Sequence, residues 1–457
     1  MTVAEGRSRE ETQRVGKALR KEVPRSSHGE WEPSVDRPDP IELLEAQNAT
    51  RLQWLVPVRF ARMSPSPFTF FRGGAKIMSS DLAGTPDTGL TVQACGDAHL
   101  LNFGGFGSPE RTMLFDLNDF DETLPGPWEW DVKRLAASLM IACRDNEFDA
   151  GEARNVTRRG VQAYREAMGA FMDMRAISVW YSRLTVSDVQ RFMPRQTRKK
   201  RSKRIAKARS KNSLQALSKL AEREGDGYRI KSDPPLLHPL RDVPHFGHPD
   251  EIEAMVANAF EEYRSTLRDD RRLLIDRYQI VDTAIKVVGV GSAGTRCFIV
   301  LLMGRREGDP LFLQVKEATA SVLEDHLPAS VYGTHGRRVV EGQRLMQAAS
   351  DVFLGWNEGD LGHFYWRQLR DMKATPAIEQ FSPRGMAAFA RLCGWTLARA
   401  HARSGDPVAI ASYLGTGDVF DDAIATFAER YADQNEEDFR EFRAAIASGR
   451  IEAADED

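Results

Sequence analysis

Apolar positions change their period twice along the chain. Residues 1–60 begin polar, are broken by Pro24, Pro33, Pro38 and Pro40, and turn apolar only around Leu52 to Phe60, which reads as an N-terminal arm. From Phe68 to Leu82 the apolar residues can share one helix face, and Leu90 to Cys95 is a short β-like run ahead of Gly96. Trp130 to Arg144 and Ala153 to Arg175 carry the spacing of long helices. After a breaker-rich loop (Ser232 to Pro239, then His245 to Pro249) and a helix predicted over Glu251 to Leu267, the pattern changes. Ile280 to Lys316 is rich in Val, Ile and Phe with glycines at turns, the mark of antiparallel strands. Helical spacing returns over Arg337 to Ser350, Pro383 to Ala402 and Asp418 to Arg443.

This order predicts an α+β protein in four stretches: the arm, a mainly helical lobe over 61–280, a β-rich lobe over 281–370, and C-terminal helices over 371–457 that complete the helical lobe. At 42% hydrophobic and 28% charged residues the chain has the composition of a folded globular protein. A net charge of −3 argues against a surface built for nucleic acid, so a basic site must be local. One such stretch, Arg195 to Lys211, holds ten Lys or Arg and no acid. It reads as a solvated arm or as a docking segment for an anionic partner, and it lacks aromatic residues to stack bases. The longest apolar runs, Leu135 to Cys143 and Cys297 to Met303, fall well short of the roughly 20 residues that span a bilayer. Met1 to Arg14 is too polar for a signal peptide, so a cytoplasmic location and no membrane partner are expected. The four cysteines have no C-x-x-C spacing and predict neither zinc site nor disulfide framework. His245 and His248 stand in a Pro/Gly loop without ligand partners and are assigned no metal.

Candidate chemistry gathers in two places. Gly289, Gly291, Ser292 and Gly294 form G-x-G-x-x-G, a weak signal by itself, but an apolar run, Cys297 to Met303, follows it instead of a helix. A glycine loop inside a hairpin suits phosphates under a β-flap. Leu311-Phe-Leu-Gln-Val-Lys316 then interrupts an apolar strand with one lysine fit to neutralise phosphate oxygens. Glu341, on the helix predicted after that strand, is the carboxylate expected to hold Lys316, with Glu317 and Glu324 as substitutes.

The second place is acidic. Asp97 precedes Asn102 by five residues, the D-x-x-x-x-N spacing of a kinase catalytic loop, in which Asp97 takes the acceptor hydroxyl proton and Asn102 binds Mg²⁺. An apolar run then ends in Asp116-Leu-Asn-Asp119-Phe-Asp121-Glu122, with Asp119 the expected Mg²⁺ ligand and Asp116 and Asp121 as rival or second ligands. Taken singly, each motif is what an Asx-rich turn or a glycine hairpin also supplies. His99 reads as a satisfied structural histidine.

Gly96-Asp97-Ala-His99-Leu-Leu-Asn102, followed by Asn118-Asp119-Phe120-Asp121, resembles the motifs of aminoglycoside and choline phosphotransferases in the protein-kinase-like superfamily. Phe71-Arg72-Gly73, the Gly96 to Phe103 block, Asn118 to Glu122 and Val340-Glu-Gly-Gln-Arg344 also resemble a bacterial family, the domain of unknown function DUF2252. The superfamily resemblance implies a two-lobe fold using ATP and Mg²⁺, but Lys316 follows Asp97 by 219 positions where ordinary kinases have the reverse order. A circular permutation is therefore expected, and Phe389 to His401 resembles the helix that runs just before the catalytic loop in phosphotransferases. Asp131 resembles the aspartate that braces that loop, and a helix N-cap reads equally well. The implied activity is Mg-ATP-dependent phosphotransfer to an unidentified hydroxyl-bearing small molecule or protein. Nucleotidyl transfer of AMP and a non-catalytic nucleotide-binding scaffold are the alternatives.

Overall fold

The computed structural model describes residues 7–192, 213–225, 227–243, 249–306, 308–359, 361–369 and 372–455. It is a mixed α and β protein whose sheets are all antiparallel. In chain order the strands are β1 (Thr91–Ala94), β2 (Phe103–Gly107), β3 (Met113–Leu117), β4 (Leu124–Pro127), β5 (Leu184–Thr185), β6 (Ala221–Glu224), β7 (Gly227–Ile230) and β8 (Leu237–Pro239). There follow β9 (Tyr278–Lys286), β10 (Cys297–Gly304), β11 (Pro310–Glu317), β12 (Gly355–Gly359) and β13 (Gly362–Gln368).

The largest sheet has six strands in the order β12-β13-β11-β10-β9-β8. Its near-continuous apolar runs follow from burial of both faces, and the two-residue alternation sorts the side chains. Phe298, Val300 and Leu302 on β10, with Leu311, Leu313 and Val315 on β11 and Phe364 and Trp366 on β13, pack under the Pro249–Ser265 helix around Tyr263. The opposite face carries Ile299, Leu301 and Phe312, covered by Leu217 and Leu220 of the Ser213–Leu220 helix. Gln314 and Lys316 continue that second face, and cross-strand pairing sets Cys297 and Tyr365 beside Lys316 in one row. A lysine in a buried strand thus emerges on the side away from the Pro249–Ser265 helix.

The helical layer is built on Trp128–Asp145, Ala150–Met172, Pro383–Ser404 and Val419–Ala447. Gly160 and Gly394 face one another across two of these helices, and a Cβ at Gly394 would collide with the Gly160 carbonyl. Backbone contact at that crossing offsets the roughly 0.5–1 kcal/mol that a helical glycine costs. All four cysteines are buried free thiols, and no helix among the described residues is long and apolar enough to cross a membrane.

Three expectations change. Residues 7–60 are packed against the rest of the chain and not set apart as an arm: the Arg9–Glu22 helix lies so close to Pro407–Leu414 that a Cβ at Gly16 would strike Ala409, and Ile41, Leu44, Leu55 and Phe60 are buried. The β-rich part begins well before residue 281, because β8 is the edge strand of the six-stranded sheet and Ser213–Leu220 and Pro249–Ser265 bury their apolar faces on it. The helix predicted over Phe68 to Leu82 is two, Pro67–Gly73 and Ala75–Ala83, broken at Gly74. The basic stretch Arg195 to Lys211 and the pair His245 and His248 lie outside the described residues.

Candidate functional site

Two nested ladders set the acidic motifs side by side. β1 pairs with β4 and β2 with β3, so the β1–β2 loop carrying Asp97 and the β3–β4 loop carrying Asp119 and Asp121 leave the same structure together. Asn102 staples them: its Nδ2 donates to the carbonyls of Asp97 (3.0 Å) and Asp119 (2.9 Å), and its Oδ1 accepts from Asn118 N (3.2 Å) and Asp119 N (2.6 Å). Both lone pairs of that oxygen are engaged. As folded here Asn102 ties loops together and has no acceptor left for the metal assigned to it from sequence.

The Asp97 loop is braced from the helical layer. Gly96 takes φ +81°, and a side chain there would collide with the Glu122 carbonyl. Asp131, in the first turn of Trp128–Asp145, is not an N-cap: its carboxylate accepts from Cys95 N (2.6 Å) and Gly96 N (2.9 Å). The same carboxylate meets His401 Nε2 at 3.0 Å, and His401 Nδ1 meets the Tyr164 hydroxyl at 2.9 Å. With the carboxylate accepting, His401 donates from Nε2 and Tyr164 donates to Nδ1. Asp97 itself accepts from Arg134 Nε at 2.9 Å through Oδ1, which leaves Oδ2 without a hydrogen bond among the described residues.

Lys316 comes in from the sheet. Its ammonium, 2% exposed, lies 2.5 Å from Asp121 Oδ2 and 3.2 Å from Asp119 Oδ1. Burial alone would pull its pKa down, but the two carboxylates more than reverse this and keep it charged. Desolvation would likewise raise the Asp119 carboxyl, and Lys316, Arg367 and Lys373 together hold it well below the usual carboxylate range. Asp121 also accepts from the Tyr365 hydroxyl (2.6 Å) and from Ser292 Oγ (3.2 Å), so the glycine loop touches the acidic cluster. That loop is the β9–β10 hairpin connection expected from sequence, with Gly289 and Gly294 at positive φ. Val290 is buried beside Ile41 and Phe60, Arg62 donates to the Gly289 carbonyl (2.7 Å), and Leu52 N donates to the Gly294 carbonyl (2.8 Å). The N-terminal residues therefore hold the flap.

Glu341 is not the partner of Lys316. It pairs with Arg344 one turn along His335–Met346, while Arg338 on that helix reaches the acidic loop, donating to the carbonyls of Asp121 (2.8 Å) and Thr123 (2.6 Å). Glu317 is taken by Arg296 (2.7 Å) and Glu324 by Ser321 N (3.0 Å), so neither substitutes. Asp116, 1% exposed, is locked to Arg399 and to Ala348 N (2.8 Å) and is no metal ligand. His99 is not the satisfied histidine expected: its Nδ1 is buried without a partner, and burial lowers its pKa to about 4, leaving it neutral at pH 7.

Asp97, Asn102, Asp119, Asp121, Lys316 and Gly289 to Ser292 line one cleft of about 1030 Å³. Ligand pockets run to about 300–1,000 Å³, so this cleft stands at the top of that range. Arg72, Arg367, Tyr365 and Arg338 are site residues that spacing did not single out for chemistry. Cross-strand pairing to Lys316 was the missing signal for Tyr365, and for Arg72 it was the Phe71-Arg72-Gly73 motif itself.

The chain matches, over residues 51–445, the family described as an uncharacterized protein conserved in bacteria (DUF2252), and it belongs to that family. No curated relative and no solved structure matches it.

Proposed function

We propose that this DUF2252 protein transfers the γ-phosphoryl group of Mg-ATP to a hydroxyl group, on a two-lobe kinase-like plan with circularly permuted motif order. The observation that carries the reading is the contact of Lys316 with Asp119 and Asp121, residues 197 and 195 positions away in the chain, beside Asp97 on the floor of a nucleotide-sized cleft.

Phosphoryl transfer demands positioning and charge neutralisation. Lys316 and Arg367 would supply positive charge to phosphate oxygens, and the flap of Gly289 to Ser292 lines the same cleft. The acceptor oxygen attacks the γ-phosphorus, the bond from that phosphorus to the β–γ bridging oxygen breaks, and ADP leaves. The hydroxyl proton passes to Asp97 Oδ2, while Arg134 holds the other oxygen and fixes the carboxylate's orientation. Magnesium takes one or two carboxylates plus phosphate oxygens and water. Asp119 and Asp121, with 44% and 26% of their side chains open, fit that donor set. Among the described residues no group of three or more His, Cys, Asp or Glu is disposed to hold a metal alone, so the ion would be shared with the nucleotide. Bound there, it would neutralise charge on the β- and γ-phosphates.

Calorimetric titration with ATP, with and without Mg²⁺, tests the reading on the wild type and on Asp119→Ala. Micromolar Mg²⁺-dependent binding, about −8 kcal/mol, is expected for the wild type and its loss for the variant. ATP labelled at the α or γ position then reports which group moves, and transfer of the α label would replace phosphoryl with nucleotidyl transfer. Equal affinity in the two proteins would overturn the assignment.

A further inference from the structure

The Phe71-Arg72-Gly73 motif brings into the cleft a charged group that the transfer chemistry leaves unused. Arg72 lies in the last turn of Pro67–Gly73, and its backbone is held on both sides: the Phe71 carbonyl accepts from Arg134 Nη2 (2.8 Å) and the Gly73 carbonyl from Arg59 Nη2 (2.9 Å). Arg134 also stacks over the Phe71 ring at 3.7 Å. The guanidinium that binds Asp97 is thus the one that fixes the approach of Arg72. From this anchored backbone the Arg72 side chain lines the cleft, makes no hydrogen bond or ion pair with any described residue, and has its Nε buried without a partner.

Arg72 is half-buried with its Nε shut away from solvent and unpaired, so a ligand anion would supply the counter-charge that the fold does not. His99 provides an independent observation on the same wall. Its Nδ1 is also buried without a partner, its ring lines the same cleft, and its Nε2 lies 3.8 Å from Asp97 Oδ2. Lys316, Arg367 and Lys373 act on Asp119, whereas the acid acting on Arg72 is Asp97. The unpaired guanidinium therefore sits within reach of Asp97, on a backbone whose carbonyl lies against Gly291 of the flap.

We infer that Arg72, His99 and Asp97 form an acceptor subsite for an alcohol bearing a phosphate or carboxylate group. The guanidinium pairs with the anion, His99 Nδ1 meets a second polar group, and the reacting hydroxyl rests at Asp97. The word acceptor rests on the phosphotransfer reading; the anion site does not.

Inorganic phosphate is the first probe, titrated calorimetrically into wild type, Arg72→Gln and Arg72→Lys, alone and with Mg²⁺ and a non-hydrolysable ATP analogue present. Phosphate binding at least tenfold weaker in Arg72→Gln, partly restored in Arg72→Lys and undisturbed by the analogue, is expected, with analogue affinity and melting temperature unchanged by the glutamine. Failure of the wild type to bind phosphate, equal affinity in Arg72→Gln, or displacement of phosphate by the analogue would overturn the inference. Glycerol 3-phosphate and glycerate then distinguish the two anions, and glycerol binding as tightly as either would also overturn it. A protein that binds no nucleotide yet keeps an Arg72-dependent phosphate site would sink the phosphotransfer reading and support this one.

Discussion

Replacing Lys316 by methionine should change the affinities for Mg²⁺ and for Mg-ATP in opposite directions. In the folded protein the ammonium occupies the place between Asp119 and Asp121 that a divalent cation would take, at 3.2 and 2.5 Å from their oxygens. Unit charges about 3 Å apart at an effective dielectric near 20 attract by roughly 5 kcal/mol, so two carboxylates give about 10. Dehydrating the ammonium cancels several kcal/mol of this. The openness of the two acid side chains, 44% and 26%, screens the pair further. A net value of about 2 kcal/mol remains, which Mg²⁺ alone must overcome in the wild type and is spared in Lys316→Met; that is roughly a thirtyfold gain in Mg²⁺ affinity. Mg-ATP, deprived of the lysine's contact with its phosphates, should bind at least tenfold more weakly. Melting curves across a MgCl₂ series read the first effect, since saturation at 100 times Kd stabilises by about 2.7 kcal/mol. Calorimetry reads the second. A variant whose melting temperature responds to Mg²⁺ no more than the wild type's, or whose Mg-ATP affinity is unchanged, would refute the reasoning.

Two further predictions concern the supports of the site. Asp131→Asn puts an amide NH₂ where the Cys95 and Gly96 N–H groups and His401 all donate, so at least one buried bond becomes a donor–donor clash. A loss of about 2–4 kcal/mol in denaturant unfolding, with faster hydrogen exchange at Cys95 and Gly96, is expected; unchanged exchange there would show that the brace does not hold the loop. Glu122 is pushed by burial from 4.5 to about 7, so the folded state keeps a proton that the unfolded chain releases. The stability it contributes is present below pH 4.5 and is lost as pH rises towards 7, by up to about 3 kcal/mol. Glu122→Gln should flatten that part of the stability profile measured by urea unfolding, and an unaltered slope would place the titration elsewhere.

Periodicity found the long helices and the β9–β10–β11 run because each is amphipathic or covered over its own length. It failed where burial depends on a distant partner. β8 is three residues long and becomes a strand only by pairing with β9, and the first sixty residues look like an arm because their apolar groups are few until Pro407–Leu414 and Val419–Ala447 are placed against them. Motif spacing fared likewise. It selected Asp97, Asn102, Asp119 and Lys316, which the fold brings to one cleft, yet it gave Lys316 the wrong carboxylate. A helix following the strand supplies an acid at about the right distance along the chain, and only three-dimensional register shows that Arg338, not Glu341, faces the acidic loop.

That exchange has a physical consequence for the whole site. With Arg338 bound to the Asp121 and Thr123 carbonyls, the helix contributes positive charge to a loop already dense in carboxylates, and the counter-charge for Lys316 falls to Asp119 and Asp121 themselves. Lysine and acids then neutralise each other in one place, where the proposed function would have nucleotide and metal separate them. The flap belongs to this balance, because Ser292 bonds Asp121 while Arg62 and Leu52 bond the flap's carbonyls. Sheet, acidic loops and flap therefore meet at the Asp121 carboxylate while the N-terminal residues hold the flap, and under the proposed function a phosphate chain would trade those contacts for its own.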